Sequence, residues 1–354
     1  MRIAIVGGGA VGLSSALWLA SYGHEIHVYD QRAFGSGATG AAAGILGAQS
    51  EGDEPHQGFE AHLRARALWA AMSEFALGGA NGLGYRQSGL LKLCNTAVDA
   101  RLRDTARWQT ERGARAELLS SRALRERFPH VGEGMTHGLW FADEAQVEPP
   151  LVVETLVNLL VQMGCMLHEH QAASALTELL ATHDRVLVAA GASAARLLPE
   201  LAVQPVRGQL LQKHLAHGEH TPVLMYGHTY AVSRGDGRVV VGATVEHGRD
   251  DVQVDALCTE ALEDAALALW PALSSAATQR QWAGVRPYVA GGPVLREVSA
   301  RLWASAGHHR NGILLALAAG EQAATEMLVL PPAPLDARRA MDGLYTRVEK
   351  IRRG

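Results

Sequence analysis

The opening of the chain constrains its fold more than any other stretch. Arg2-Ile3-Ala4-Ile5-Val6 is a short apolar run that leads directly into Gly7-Gly8-Gly9-Ala10-Val11-Gly12. Such a run, bounded by glycine, predicts a strand buried in a parallel sheet. Leu13, Ala16, Leu17 and Ala20 then recur at helical spacing, and Gly23 stops the helix. A second strand follows over residues 25–30 and ends in Asp30. GxGxxG alone is a weak signal, but strand, glycines, helix, strand and terminal acid together specify a dinucleotide-binding βαβ unit. Gly7 permits the tight turn, Gly9 lets a pyrophosphate approach, and Gly12 allows the helix to pack on the sheet. The helix start at Ala10 and Val11 offers N–H groups and partial positive charge to phosphates. Asp30, with Gln31 beside it, suits the ribose hydroxyls, and its charge disfavours a 2′-phosphate. The motif serves NAD and FAD equally well.

The rest of the chain is long enough for about two domains, at 354 residues. Lys and Arg number 32 against 36 Asp and Glu, a formal charge of −4 that advertises neither nucleic acid nor anionic membrane as partner. Three cysteines, Cys94, Cys165 and Cys258, form no CxxC pair, so neither a disulfide framework nor a zinc site is expected. The chain shows no signal-peptide pattern and no apolar stretch long enough to span a bilayer, and a cytoplasmic setting is expected.

Residues 33–48 are almost all small, which lets backbone pass close to a ligand. Helices are expected over 60–78 and 97–127, strands over 85–93 and 138–141, and a helix from Pro149-Pro150 to Gly164. Residues 185–191 read as another buried strand ending in small residues. Several strands follow between 203 and 285, with a hairpin turn at Arg234–Arg238 and a helix near 255–269. A strand over 302–307, the loop HHRNG and a helix over 313–329 close the pattern, with 331–354 as a surface tail. Strand–helix units in three separated places, with antiparallel material between, predict two interleaved domains rather than successive ones. The expected division is a Rossmann-like α/β nucleotide domain from 1–50, 145–202 and 285–330, and a second domain from 51–144 and 203–284 built on an antiparallel sheet.

Six further segments, GAAAGILGAQSE, ADEAQVEP, RVLVAAG, VRGQLL, WAGVRP and GHHRNGILLA, are similar in order and spacing to the glycine oxidases. These belong to the wider D-amino acid and sarcosine oxidase family, and the resemblance covers residues 1 to about 330. It implies FAD as cofactor. By the resemblance, Thr39, Ala42, Ala43, Gly44 and Ile45 would run along the FAD, with the flavin ring near Gly44 and Ile45. Ala190 and Gly191 would flank it from one side, and Gly307, Arg310, Asn311, Gly312 and Ile313 from another. No cysteine lies between WAGVRP and GHHRNG, so non-covalent FAD is expected.

On the substrate side, a fixed carboxylate suits the bidentate fork of arginine. Arg286, in WAGVRP, stands where the resembling enzymes bind substrate carboxylate. Tyr230 corresponds to a tyrosine contacting the same group, Arg310 would lie beside flavin and ligand, and Glu51 matches a position at the pocket entrance. His228, His308 and His309 are assigned no proton-transfer role. The implied chemistry is hydride transfer from Cα of a small amino acid, its amine in the neutral form, to flavin N5. The imine then hydrolyses to an oxo acid and ammonia, with O₂ giving H₂O₂ in an oxidase. In bacteria such enzymes commonly feed the thiazole of thiamine.

The chain departs from the family at RPYVAGGPVLRE. Tyr288 replaces a glycine, an expected aspartate is missing, and Arg296 replaces a closing glycine. Tyr288 follows the carboxylate anchor and is expected to alter pocket shape. Ser193 stands where tryptophan is common, and 164–185 is short for the usual strand meander. Alternatives are a flavin dehydrogenase or oxidase of D-amino acids, sarcosine, proline or another secondary amine, an NAD-dependent dehydrogenase, or a catalytically silent flavoprotein subunit. Electron acceptor and oligomeric state stay open, a homo-oligomer among the choices.

Overall fold

The computed structural model describes residues 1–52, 54–76, 79–95, 100–173, 175–216 and 221–353. The apolar opening forms β1 (Arg2–Val6), followed by α1 (Ala10–Ser21) and β2 (Glu25–Tyr29). β1 is the seed of a six-stranded sheet in the spatial order 294–299, 302–306, 185–188, β1, β2, 166–168. Pairing is parallel throughout, with Ile3 opposite Ile26 and Arg185, except at the antiparallel edge of 294–299 on 302–306. α1 is buried on nearly every side because it lies between this sheet and the helix Gly312–Met327. Gly320 makes that approach possible, since a Cβ there would sit 2.6 Å from the Ser14 backbone.

The second sheet has nine strands among the described residues. Its longest antiparallel pair is Gln204–His214 with Ala277–Tyr288, which places Arg286 opposite Val206. All its pairs are antiparallel except 223–226 on 90–94. The helix Ala256–Leu269 packs Leu262, Ala266 and Leu269 into a core beneath it. The Rossmann-like sheet joined to a largely antiparallel one is the fold the sequence implied.

Several boundaries differ from expectation. The strand carrying Arg286 runs to Tyr288, so the expected cut at residue 285 falls inside it. Helix Phe59–Phe75 contributes Ala65, Leu68, Trp69 and Met72 to the nucleotide-side core, and the Trp69 indole donates to the Ile313 and Leu314 carbonyls, each at 3.0 Å. It belongs by packing with the first sheet rather than with the second. The helix expected over 97–127 is two helices, Ala100–Glu111 and Ser121–Arg127, separated by a strand at Glu117–Leu119. Gly113, at φ +79°, turns the chain there.

The expected surface tail is also corrected. Residues Ala337–Arg353 form a helix whose Met341, Leu344 and Val348 are buried against the same core. Its charged residues masked an apolar stripe at helical spacing, and each fully buried side chain of this kind contributes about 1.5–3 kcal/mol. No described helix is long and apolar enough to cross a membrane.

Candidate active site

A continuous cavity of about 570 Å³ runs between the two sheets. Its walls take in the first glycine turn, the small-residue segment 35–47, the ends of 185–191 and 305–313, and the inner face of the strand through Arg286. The three fingerprint glycines do different things there. Gly7 holds φ +120°, and a Cβ on it would meet the Ala189 carbonyl oxygen at 2.3 Å. A Cβ on Gly12 would lie 1.9 Å from the Gly7 carbonyl oxygen, so Gly12 serves backbone packing and does not line the cavity. Gly9 lines it, and a Cβ there would touch only the Thr39 hydroxyl, at 3.1 Å. Glycine at position 9 therefore leaves room facing the cavity rather than room for the protein itself.

Helix α1 begins at the cavity without a side-chain cap from Gly9; instead the Thr39 hydroxyl accepts the Ala10 N–H at 3.0 Å. A second helix start, at Asn311–Ile313, also opens onto the cavity without a side-chain cap from Asn311. Two positive helix ends thus face one space. Asp30 lines it too. One carboxylate oxygen accepts the Gly8 N–H and the other the Arg32 N–H, both at 2.9 Å, which aims the group and leaves lone pairs for a hydroxyl-bearing ligand. Along the opposite wall Gly44 holds φ +77°, where a Cβ would strike the Val147 carbonyl at 2.0 Å. Gly284 admits Ala41, and the Trp282 indole donates to the Ala41 carbonyl at 3.0 Å.

Of the residues expected at the cofactor, all but Gly12 and Gly307 line this cavity. Gly307 instead turns the chain at φ +82° beneath Val289, which a Cβ would meet at 2.7 Å.

The substrate-side residues gather at one end of the same space. The Arg286 guanidinium lies flat over Gly208, where any Cβ would come within 2.2 Å of it, and it donates to the Thr244 carbonyl at 3.2 Å. Among the described residues no carboxylate lies within ion-pair distance of Arg286. The Tyr230 side chain interacts with it, and burial raises the phenol pKa while lowering that of the guanidinium. Arg310 is different. It forms an ion pair with Glu51 at 3.0 Å and contacts His228 Nδ1 at 3.1 Å. Burial holds both His308 and His309 down at about 4, with Arg286 and Arg310 reinforcing this at His309, so both imidazoles are neutral at pH 7.

Tyr288 does not line the cavity. Its ring turns onto His309 and His247, at centroid distances of 5.3 and 6.3 Å, so it meets the cavity only through His309, which lines it. Ser193 does line the cavity, together with Arg196 and Asp250, which face each other at 3.8 Å. Sequence reasoning missed this last pair and also the buried Arg234, which holds the wall segment from behind. Arg234 sits in a hairpin-tip sequence that reads as a turn, and nothing local marks it as buried.

Two helix starts, a carboxylate set at a strand end and a backbone wall stripped of side chains fit an extended dinucleotide, with a guanidinium at the far end for an anion. This is the layout of a two-domain dinucleotide-dependent oxidoreductase. The chain belongs to the FAD-dependent oxidoreductase family, which matches residues 2–326, and FAD is its cofactor. Glycine oxidase from Geobacillus kaustophilus is 31% identical over 337 residues, 88% of this chain and 89% of that protein. A crystal structure of glycine oxidase from that organism has a TM-score of 0.85 at 28% identity, covering 94% of this chain and 96% of the other. Iminodiacetate oxidase from Chelativorans sp. has a TM-score of 0.79 at 25% identity, with 95% and 98% covered. The resemblance to the glycine oxidases therefore holds over most of the chain.

Proposed function

We propose that this flavoenzyme oxidises the C–N bond of a small amino acid, glycine or a similarly small primary or secondary amine. The observation that carries the reading is the asymmetry of the two cavity arginines. Arg310 is neutralised by Glu51, whereas Arg286 is partly buried, has no carboxylate partner among the described residues and opens onto the cavity. A guanidinium left in that condition is stabilised by an incoming carboxylate, with a bidentate, charge-assisted geometry. The Thr244 carbonyl and the flat surface of Gly208 hold it in place, and the Tyr230 hydroxyl supplies a further donor for the same anion.

Gly9, Ala10 and Val11 would hold the pyrophosphate, Asp30 and Gln31 the ribose, and Ala42 to Ile45 the ring system. The nucleotide-holding unit would then comprise 1–50, 145–202 and 289–330 together with helices 59–75 and 337–353. When bound non-covalently there, FAD supplies a two-electron acceptor. The remaining work of the protein is orientation and exclusion of water, for which Arg286 fixes the carboxylate and so the direction of the neighbouring C–H. His308 and His309, neutral at pH 7, add no charge to that end and leave the neutral amine undisturbed. Loss of the Cα hydrogen with two electrons turns the amine into an imine, which water converts to an oxo acid and ammonia, or an amine where the substrate nitrogen is secondary; O₂ is the proposed electron acceptor and is reduced to H₂O₂.

The test is anaerobic mixing of the yellow protein with glycine, sarcosine, D-alanine, D-proline and iminodiacetate. Loss of the visible flavin band with at least one of them is expected. No loss with any would end this reading in favour of a catalytically silent flavoprotein.

A further inference from the structure

Behind the cavity wall lies a cation that the reaction does not use. Arg234 is 4% exposed and does not line the cavity. It stands at the tip of the hairpin formed by Thr229–Ser233 and Arg238–Gly242, in the second sheet. From there it reaches across to the nucleotide side. Its guanidinium donates to the Ala43 carbonyl at 2.6 Å, the Val147 carbonyl at 3.1 Å and the Gln146 side-chain oxygen at 2.8 Å. All three acceptors are neutral. The nearby Glu148 carboxylate is engaged by Arg238, at 2.9 and 3.2 Å. Burial pulls the Arg234 pKa down to about 10, which still leaves it charged at pH 7.

A buried cation held only by neutral oxygens is costly unless its geometry does something. Here it ties together the two strands that shape the wall. Ile45 pairs with Gln146, the Val147 N–H donates to the Gly44 carbonyl at 2.9 Å, and Gly44 is confined to φ +77° against Val147. The peptide between Ala43 and Gly44 is planar and trans, so its C=O and N–H point in opposite directions. With the Ala43 oxygen turned back to Arg234, the Gly44 N–H is turned away from it. Among the described residues that N–H donates to no acceptor. Ala43 and Gly44 both line the cavity.

We propose that Arg234 is a positioning residue for the flavin: it locks the Ala43–Gly44 peptide so that the Gly44 N–H is presented to the cofactor. The inference rests on the flavin reading of the cavity and concerns a residue on the opposite side of the wall. The fork is essential to it, because one planar group must hold both carbonyls at once.

The experiment uses the purified full chain, its FAD-free form, Arg234→Lys and Arg234→Met. Arg234→Lys keeps the charge and loses the fork. It is expected to raise the FAD dissociation constant about tenfold or more, the size of a lost charge-assisted hydrogen bond. It should also shift the visible flavin band and shrink the gain in melting temperature that FAD confers. Arg234→Met should show the larger change in each. A role in folding alone would lower the melting temperature equally with and without FAD and leave affinity and spectrum unchanged, and that result would overturn the proposal. If neither variant folds, amide exchange in the unaltered protein decides. Slowing across residues 43–45 on FAD addition supports the proposal, and unchanged exchange there overturns it. A protein that retains no FAD at all would instead discredit the cofactor reading.

Discussion

The two ends of the cavity are built by different physics. The nucleotide end is made of backbone: Gly7, Gly9, Gly12 and Gly44 each remove a side chain where a Cβ would meet protein or ligand space. The end proposed for the substrate is made of charge balance: Arg310 with Glu51, Arg286 with no acid in ion-pair reach among the described residues, and Glu144 buried behind the loop that carries Glu51. Backbone shape is set by where main chain meets main chain, as at Gly7 on Ala189, Gly12 on Gly7 and Gly44 on Val147, and a Cβ at those contacts has nowhere to go. Charge balance is set by residues far apart, and each can be altered with the fold intact. Variants at the two ends should therefore fail in different ways.

The sharpest break in that comparison lies within the fingerprint itself. Gly12→Ala forces a methyl to 1.9 Å from a backbone oxygen, which cannot move without disrupting the first turn. A loss of roughly 3 kcal/mol or more is expected, at or beyond the usual cost of overpacking. Urea unfolding of the FAD-free protein measures it, and an unchanged midpoint would show that the turn relaxes. Gly9→Ala meets only a hydroxyl and should leave that midpoint nearly in place while weakening FAD retention.

At the other end, Arg286→Ala should bind FAD normally and lose catalytic efficiency by about a thousandfold, mostly through KM, as truncation of a buried charge partner typically costs 2–5 kcal/mol. Steady-state kinetics with the best substrate checks this. An unchanged KM would show that the carboxylate is held elsewhere.

The same division explains what was legible in the sequence. The βαβ opening, Asp30 and the small-residue segments could be read because their function depends on local identity: glycine where a Cβ cannot fit. Arg286 and Tyr230 were read through resemblance and are brought together by the register of the second sheet. The pairing of Arg310 with Glu51 spans 259 positions and was not visible, although both residues were singled out. Arg234 was hidden because a charged residue between Ser233 and Gly235 reads as solvated turn, and its burial depends on Ala43 and Val147 arriving from elsewhere. The C-terminal helix was missed for a related reason: its charges dominate the composition while Met341, Leu344 and Val348 carry the packing.

Glu144 tests the charge-balanced end through pH. Its carboxylate is fully buried, accepts the Gln49 N–H at 2.7 Å and pairs with Arg66 at 3.0 Å. Burial nevertheless outweighs these partners and pushes the carboxyl from 4.5 up to about 7. The folded state thus holds this proton more tightly than the unfolded chain. Its contribution to stability is full below about pH 4.5 and is lost as pH rises through 7, an effect on the order of 3 kcal/mol. Glu144→Gln should flatten this part of the stability profile. Urea midpoints at pH 5 and pH 7.5 for both proteins decide, and an identical pH slope in the variant would place the titrating group elsewhere.

The smallest effect is expected where the sequence departs most visibly from its relatives. Tyr288 follows Arg286 and Pro287, and a ring in place of glycine invites the conclusion that the pocket is narrowed. The strand geometry argues otherwise. Side chains alternate along an extended strand, so Arg286 and Tyr288 start on the same face, but the strand ends at Tyr288 and bridges to His308. There the ring is taken up edge-on by His309 and His247 and leaves the cavity lining to Arg286 and Pro287. Tyr288→Gly should therefore change KM for glycine less than about threefold, under 1 kcal/mol, while costing more in stability through the lost ring contacts. A KM change much larger than this, with FAD affinity unaltered, would show that the ring reaches the substrate. The substrate end would then owe its selectivity to shape as well as to charge.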